Sequence, residues 1–252
     1  MIAPNTPLLE DNRNVGLLVA GAGTTSETTD IVVRGTRERR SDGTFGRGIV
    51  VQDGPHAALI RALVEDNREH GIVATGAGTL VEASDLTVRD SLPRSMDAAL
   101  GVGVWAQNGA HMVIAGARIE RSHFVGLGSI NGASVEARDL VVSGVEASHC
   151  YPKTCTGDTG GFGLVAIFGG TLTVTRFTVE NATLCGVLAG LDSVRPTGLD
   201  LESGVIDRAM VGACVQQDGY DASRLQNGVE YRDVGVPLRA TSYELPSSLE
   251  GL

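Results

Sequence analysis

A glycine followed by a short apolar strand recurs eight times along this chain: Gly16 (GLLVA), Gly48 (GIVVQ), Gly71 (GIVAT), Gly103 (GVWAQ), Gly126 (GLGSI), Gly163 (GLVAI), Gly186 (GVLAG) and Gly212 (GACVQ). The intervals are 32, 23, 32, 23, 37, 23 and 26 residues. Three are 23, and the longer ones leading to Gly48, Gly103 and Gly163 read as the same unit with a loop added. A period in the twenties, made of short strands and glycine or asparagine turns, marks a solenoid, because each repeat can bury its apolar face only against its neighbours.

A second strand follows the first by about nine residues in several copies, as LVEASDLTV, MVIAGARI, VEARDLVV and LTVTRFTV. Turn signals separate the two strands, among them Asp53-Gly54, Asn108-Gly109, Asn131-Gly132, Gly169-Gly170 and Asp218-Gly219. Such a coil has the size of one turn of a parallel β-helix. The leucine-rich pattern LxxLxLxxN is absent, and no segment has a helical period. The 34 glycines and the aromatic content of only 4% fit many short strands better than a large helical core. We therefore expect one all-β domain over residues 1–252, a parallel β-helix of about eight coils with loops inserted on alternate coils. Residues 218–252 would form the final coil and a C-terminal cap, with Pro237 and Pro246 blocking its edge.

Charge gives a second line of argument that the glycine spacing does not use. The residue after the last core aliphatic of each coil runs Glu10, Arg34, Glu65, Arg89, Glu120, Ser143, Glu180, Asp207. Four positions earlier the series is Asp30, Arg61, Asp85, Gly116, Asp139, Arg176, Ser203, in the opposite phase. Parallel strands stack equivalent residues about 4.8 Å apart, so a column of one sign repels while an alternating column attracts.

The segments DNRNVGLLVAG (11–21) and DNREHGIVATG (66–76) nearly repeat each other, which makes the larger unit a pair of coils, one short and one carrying a loop. His70 stands where the first copy has Val15. We expect it to be a partly exposed turn residue, with catalysis as the alternative.

Strand alternation sends the first and third residues after each glycine inward, giving an aliphatic core from Leu17/Val19 through Ala213/Val215. The second and fourth then point outward and are unusually apolar, as at Leu18, Val50, Val73, Trp105, Val165 and Leu188. Two readings stand open. The inserts TRERRSDGTFGR (36–47), SLPRSMDAAL (91–100) and VEASHCYPKTCTGDTGG (145–161) either fold over this face, or wall an open groove in which Trp105, Gln52 and Gln107 meet a sugar chain or a partner protein. Arg94, His149 and Tyr151 on the inserts complete that candidate contact region.

Several chemistries lack their residues. A net charge of −10 without a basic stripe argues against nucleic acid. No apolar run is long enough for a transmembrane helix, and the first 30 residues lack the order of a signal peptide. No GxSxG, HExxH, P-loop or calcium nonapeptide occurs, so neither a cofactor nor a metal is expected. Lyases and hydrolases built on β-helices need carboxylates clustered on neighbouring coils, and the outward positions hold none. Cys150 and Cys155 flank a proline turn and are a candidate disulfide; with His149 they fall one ligand short of a structural zinc set. Cys185 and Cys214 read as core residues among aliphatics.

The motifs GIVVQDG, LVEDNREHGIVATG, VEASDLTVRDS and VQQDGYDASRLQNGVEYRDVGVPL resemble the bacterial right-handed parallel β-helix repeat proteins, relatives in fold of the pectate lyases. The resemblance covers nearly the whole chain. It implies right-handed winding and an extracellular or cell-surface setting, although the chain as given has neither a signal segment nor a lipid-attachment cysteine. It transfers no catalytic residue, since the enzymes' acidic positions have no match here. The expected function is a non-enzymatic surface scaffold or binding module for polysaccharide or a cell-surface protein. A carbohydrate-active lyase or hydrolase is the alternative.

Overall fold

The computed structural model describes residues 6–149, 158–190 and 197–240. Within them the chain is an all-β parallel solenoid of about eight coils. Each coil contributes to three sheet faces. The first face carries the glycine-led strands, including Val15–Ala20, Arg47–Gln52, His70–Thr75, Val102–Gln107, Val125–Ile130 and Phe162–Ile167. Every pairing among these strands is parallel and in the register the glycines predict, for example Ile49↔Ile72, Ile72↔Val104, Val104↔Leu127 and Leu127↔Leu164. The second and third faces often share one long strand, as in Leu80–Arg89, His111–Glu120 and Ser134–Val145. The final coil stacks Asn227–Arg232 and Val236–Ala240 on the strand Gly198–Gln216. Pro237 lies in that last strand, while Pro246 lies outside the described residues.

The leading glycines have a steric cause. A Cβ on Gly71 would sit 2.5 Å from a Val88 methyl and 2.7 Å from the Gly103 carbonyl oxygen, and Gly103 meets Ile119 and Gly126 in the same way. The first and third faces pinch together there, and only a residue without a side chain lets the central aliphatic of the third face tuck in.

Both charge columns form as the sequence predicts. Glu10, Arg34, Glu65, Arg89, Glu120, Ser143, Glu180 and Asp207 stack in consecutive registers, and Arg232 extends the series. The second column has a further property that charge alone did not reveal. Asp30, Arg61, Asp85, Gly116, Asp139, Arg176, Ser203 and Gly228 all have φ between 52° and 74°. Each is a one-residue, left-handed bend between the second and third faces. Asp tolerates this conformation better than most residues, whereas Arg is uncommon there. Arg61 lies 2.6 Å from Asp30 and Arg176 lies 2.7 Å from Asp139, so the stack gives each arginine a partner.

The interior holds the predicted aliphatic columns, with Ile49, Val51, Ile72, Ala74, Val104, Ala106, Leu127 and Leu164 all buried. A second apolar cluster lies on the opposite side of the first face. It contains Val50, Val73, Trp105, Ile130, Val165 and Leu188 together with Ala99 and Leu100 of the 91–100 insert. From Val50 onward the outward apolar face is therefore covered, which around Trp105 decides between the two readings left open by the sequence, whereas Leu18 on the first coil remains 54% exposed. Trp105 is 0% exposed and lies over Gly128 of the next coil, where a Cβ would come within 2.0 Å of its ring.

The cysteines correct one expectation. Cys185 and Cys214 are buried, as expected, but they are joined in a disulfide across adjacent coils, with Cα atoms 6.0 Å apart. Equivalent strands in a solenoid are close enough for a bridge, and a reading of each strand by itself misses this. Cys150 and Cys155 lie outside the described residues.

Candidate functional site

The candidate contact residues do not share one surface. Trp105 is sealed in the second cluster, and its indole N–H donates to Gln107 Oε1 at 3.1 Å. Gln107 is buried with it and donates onward to Thr75 Oγ1 at 3.3 Å. Gln52 is half-buried at the end of its strand and donates to Asp53. Arg94 is 7% exposed and pairs with Asp97 at 2.7 Å. His149 ends the short strand Ala147–His149, its backbone paired antiparallel with Asp158; its side chain and Tyr151 lie outside the described residues.

What the fold does bring together is a group of charged residues at the corner of the third coil. Its foundation is the pair of inserts 36–47 and 91–100, which share one frame. In the first, Arg39 N–H donates to Thr44 O and Gly43 N–H to Arg39 O. Arg39 pairs with Asp42, whose Oδ1 accepts the Thr44 N–H at 3.1 Å. In the second, Arg94 N–H donates to Ala99 O and Ala98 N–H to Arg94 O, Arg94 pairs with Asp97, and Asp97 Oδ1 accepts the Ala99 N–H at 3.1 Å. Phe45 and Leu100 follow with φ of 66° and 68°, and Gly46 and Gly101 with 100° and 95°. The sequence pattern R-x-x-D-x-x-[FL]-G-x-G, at 39–48 and again at 94–103, encodes the frame.

Glu69 joins the two inserts. It is 2% exposed, and its Oε1 accepts from Arg47 Nε at 2.9 Å and Nη2 at 2.6 Å, while Oε2 accepts the Phe45 N–H at 2.7 Å. Arg94 Nη1 approaches the same carboxylate at 3.8 Å. The Glu69 carbonyl accepts the N–H groups of Gly101 and Val102, where the second insert rejoins its strand. One insert also grips the other directly, through the Ser95 N–H donating to Glu38 Oε1 at 2.6 Å. Burial raises the affinity of Glu69 for a proton, but its neighbours, the Arg47 guanidinium among them, outweigh it and hold the carboxyl well below its ordinary range. Glu38 behaves similarly: burial pushes its carboxyl up, while the Ser95 amide and Arg68 bring it below the ordinary value.

His70 departs from expectation. It is 1% exposed, because the inserts close over the turn it occupies. Its Nδ1 lies 3.5 Å from Glu69 Oε1 without hydrogen-bond geometry, and its Nε2 has no partner. Burial pushes its pKa down, Glu69 opposes this, and Arg47 and Arg94 reinforce it, so the ring is neutral at pH 7. The arrangement is an anchor of ionised pairs around an uncharged imidazole. A general base must reach a substrate proton, and this histidine has no solvent face.

Sequence reasoning missed Glu69, Arg47 and Asp97. The signal was present in the 55-residue offset that relates 11–21 to 66–76, since the same offset maps Arg39 onto Arg94 and Asp42 onto Asp97.

Solvent-facing concavity occurs elsewhere, along the left-handed bends. Two clefts of about 350 and 620 Å³ share Asp139 and Val141 and together run from Asp85 to Glu230. Their walls mix charged and hydroxyl side chains, including Arg118, Arg176 and Thr178, with apolar ones such as Leu86, Val141 and Val205. Among the described residues no group of three or more His, Cys, Asp or Glu side chains is placed to hold a metal ion, and no helix is long and apolar enough to cross a membrane. No family model, no curated protein and no solved structure matches the chain.

Proposed function

We propose that this protein is a non-enzymatic scaffold or binding module of the cell surface, which presents the groove along its left-handed bends to a polysaccharide or a partner protein. The observation that carries this reading is the state of the carboxylates. Two of those along the bends are matched to arginines one coil away, Asp30 to Arg61 and Asp139 to Arg176, and Asp90, at the turn that follows the third face, is matched to Arg121 in the same way. Each of these three aspartates is held below its ordinary pKa, chiefly by the hydrogen bond from its arginine. A glycosidase acid needs a raised pKa, and a lyase needs a free base or a bound cation. A surface of paired charges suits recognition, in which register and orientation are set by repeated polar contacts.

The buried Cys185–Cys214 bridge supports an exported setting, because structural disulfides persist in oxidising compartments. The test is a glycan-array screen run beside an assay for new reducing ends and unsaturated products. Retention of a glycan without turnover is the expected result, with binding weakened by Arg176→Ala. Turnover would sink the scaffold reading and favour a lyase or hydrolase.

A further inference from the structure

We propose that the inserts 36–47 and 91–100 form an acid-operated lid over the Trp105 face, with His70 as its trigger. This goes beyond the binding-module reading and does not depend on it.

The argument begins with an imbalance. A buried polar group ordinarily finds a hydrogen-bond partner, and neither ring nitrogen of His70 has one. The cost is small while the ring is neutral and rises steeply once it is charged. Every element packed around the ring bears on that charge. On its own corner stands Glu69, and on the preceding coil Arg47, which already makes two hydrogen bonds to Glu69 Oε1. The second insert contributes Arg94, engaged with Asp97, and further along the corner Arg68 lies 4.0 Å from Glu38. On the following coil the residue in register is Val102, which offers no acceptor side chain. Protonation would therefore set a third cation beside Arg47 and Arg94. The nearest carboxylate, Glu69, is already committed to Arg47 and to the Phe45 amide.

The same carboxylate holds both inserts, so an imidazolium competing for Glu69 loosens the hydrogen bonds to Arg47 and Phe45 together. The inserts are coupled through Ser95 and Glu38, and Met96 of one lies against Gly43 of the other. Release of this anchor frees Ala99 and Leu100, which pack in the cluster containing Trp105. In the closed state the ring resists protonation, whereas in the open state it titrates as an ordinary histidine near pH 6.5. The open state thus binds more protons below that pH, and acidification favours it by up to about tenfold per pH unit. Glu69 and Glu38 are both held below the ordinary carboxylate range and so titrate below this window.

The experiment is hydrogen exchange followed by mass spectrometry between pH 7.5 and 5, corrected for the intrinsic rate. Peptides covering 36–47 and 91–100 are compared with a reference from the strand Ser134–Val145. Acrylamide quenching of Trp105, the only tryptophan in the chain, gives an independent optical readout. The expected result is that protection of both inserts falls about tenfold per unit below pH 6 while the reference peptide is unchanged. The fall should be absent in His70→Val, which restores the residue found at position 15. His123, whose backbone N–H donates to the carbonyl of Gly101 just after the second insert, remains in that variant, so a fall that persists there overturns the assignment to His70. Flat protection in the parent protein, or equal loss in the reference peptide, overturns the lid itself. His70→Gln, polar but without a charge change, supplies the same comparison if the valine variant does not fold.

Discussion

Two regions of this molecule use the same ion pair in different surroundings. On the third face Arg34 meets Glu10 at 2.5 Å, with the two side chains 40% and 42% exposed. At the loop-bearing corner Arg47 meets Glu69 at 2.6 Å, with exposures of 14% and 2%. The distances are nearly equal, yet the energetics differ by their setting. Water and salt screen the surface pair, so it chiefly fixes register, since a slip of one coil would oppose like charges. The buried pair has surrendered its hydration and tolerates the loss of a partner poorly. The ladder can therefore be edited at low cost, and the corner cannot.

The largest expected break in this contrast is Glu69→Gln. It strands Arg47 beside Arg94 without a carboxylate, and chemical denaturation should show a loss of about 3–5 kcal/mol. Protection of the insert amides should fall at the same time, because the Phe45 N–H loses a charged acceptor. A loss below 1 kcal/mol would mean that the corner is as well hydrated as the ladder.

Asn67→Ala asks whether charge or burial sets the cost. Asn67 is 1% exposed, its Oδ1 accepts the Thr36 N–H at 2.9 Å, and its Nδ2 donates to Val33 O at 3.2 Å. Removing an uncharged bridge at this depth should cost about 1–3 kcal/mol in the same denaturation assay, below the Glu69 variant. Equality of the two would remove charge from the account.

Arg89→Ala samples the ladder. Arg89 bonds Glu65 and is 40% exposed, so a change of about 0–1 kcal/mol is expected, shrinking further in high salt. A larger, salt-resistant loss would place the ladder in the same class as the corner.

The pH response separates the regions by its sign. Hydrogen bonds from arginine depress the pKa of Asp90 and Asp139, so their stabilisation is present above the ordinary aspartate value near 3.8 and disappears as pH falls through their lower folded values. His70 also has a depressed folded pKa, but its charged form is the protonated one, so its penalty appears on acidification below about 6.5. Stability curves of the parent and His70→Val should therefore run parallel above about pH 7 and diverge progressively as pH falls below about 6.5. Curves that stayed superimposed throughout would leave His70 energetically silent.

The two regions were unequally legible in the sequence, and the reason is the range of the interactions. The stacking of Arg34, Glu65 and Arg89 follows from alternation along a strand and a repeated coil length, both visible in one dimension. The outward apolar positions Val50, Val73 and Trp105 could be read as well, but not their cover, because cover depends on where the inserts travel. Glu38 meets Ser95 across 57 residues with no period to announce it. The left-handed bends were half visible: their charges alternated in the sequence, while the backbone conformation that makes Arg61 and Arg176 unusual was not encoded in residue type.

Sequence alone determined the coil: glycine where two faces pinch, aliphatics alternating inward, and opposite charges one turn apart. These are local rules repeated about eight times, and repetition makes a weak preference legible. The tertiary structure decided that Trp105 is enclosed, that Cys185 bonds Cys214, and that Glu69 and His70 lie in the dark beneath two inserts. Those outcomes rest on single, non-repeating contacts between distant segments, and their cost or benefit exists only once water has been excluded from the space between them.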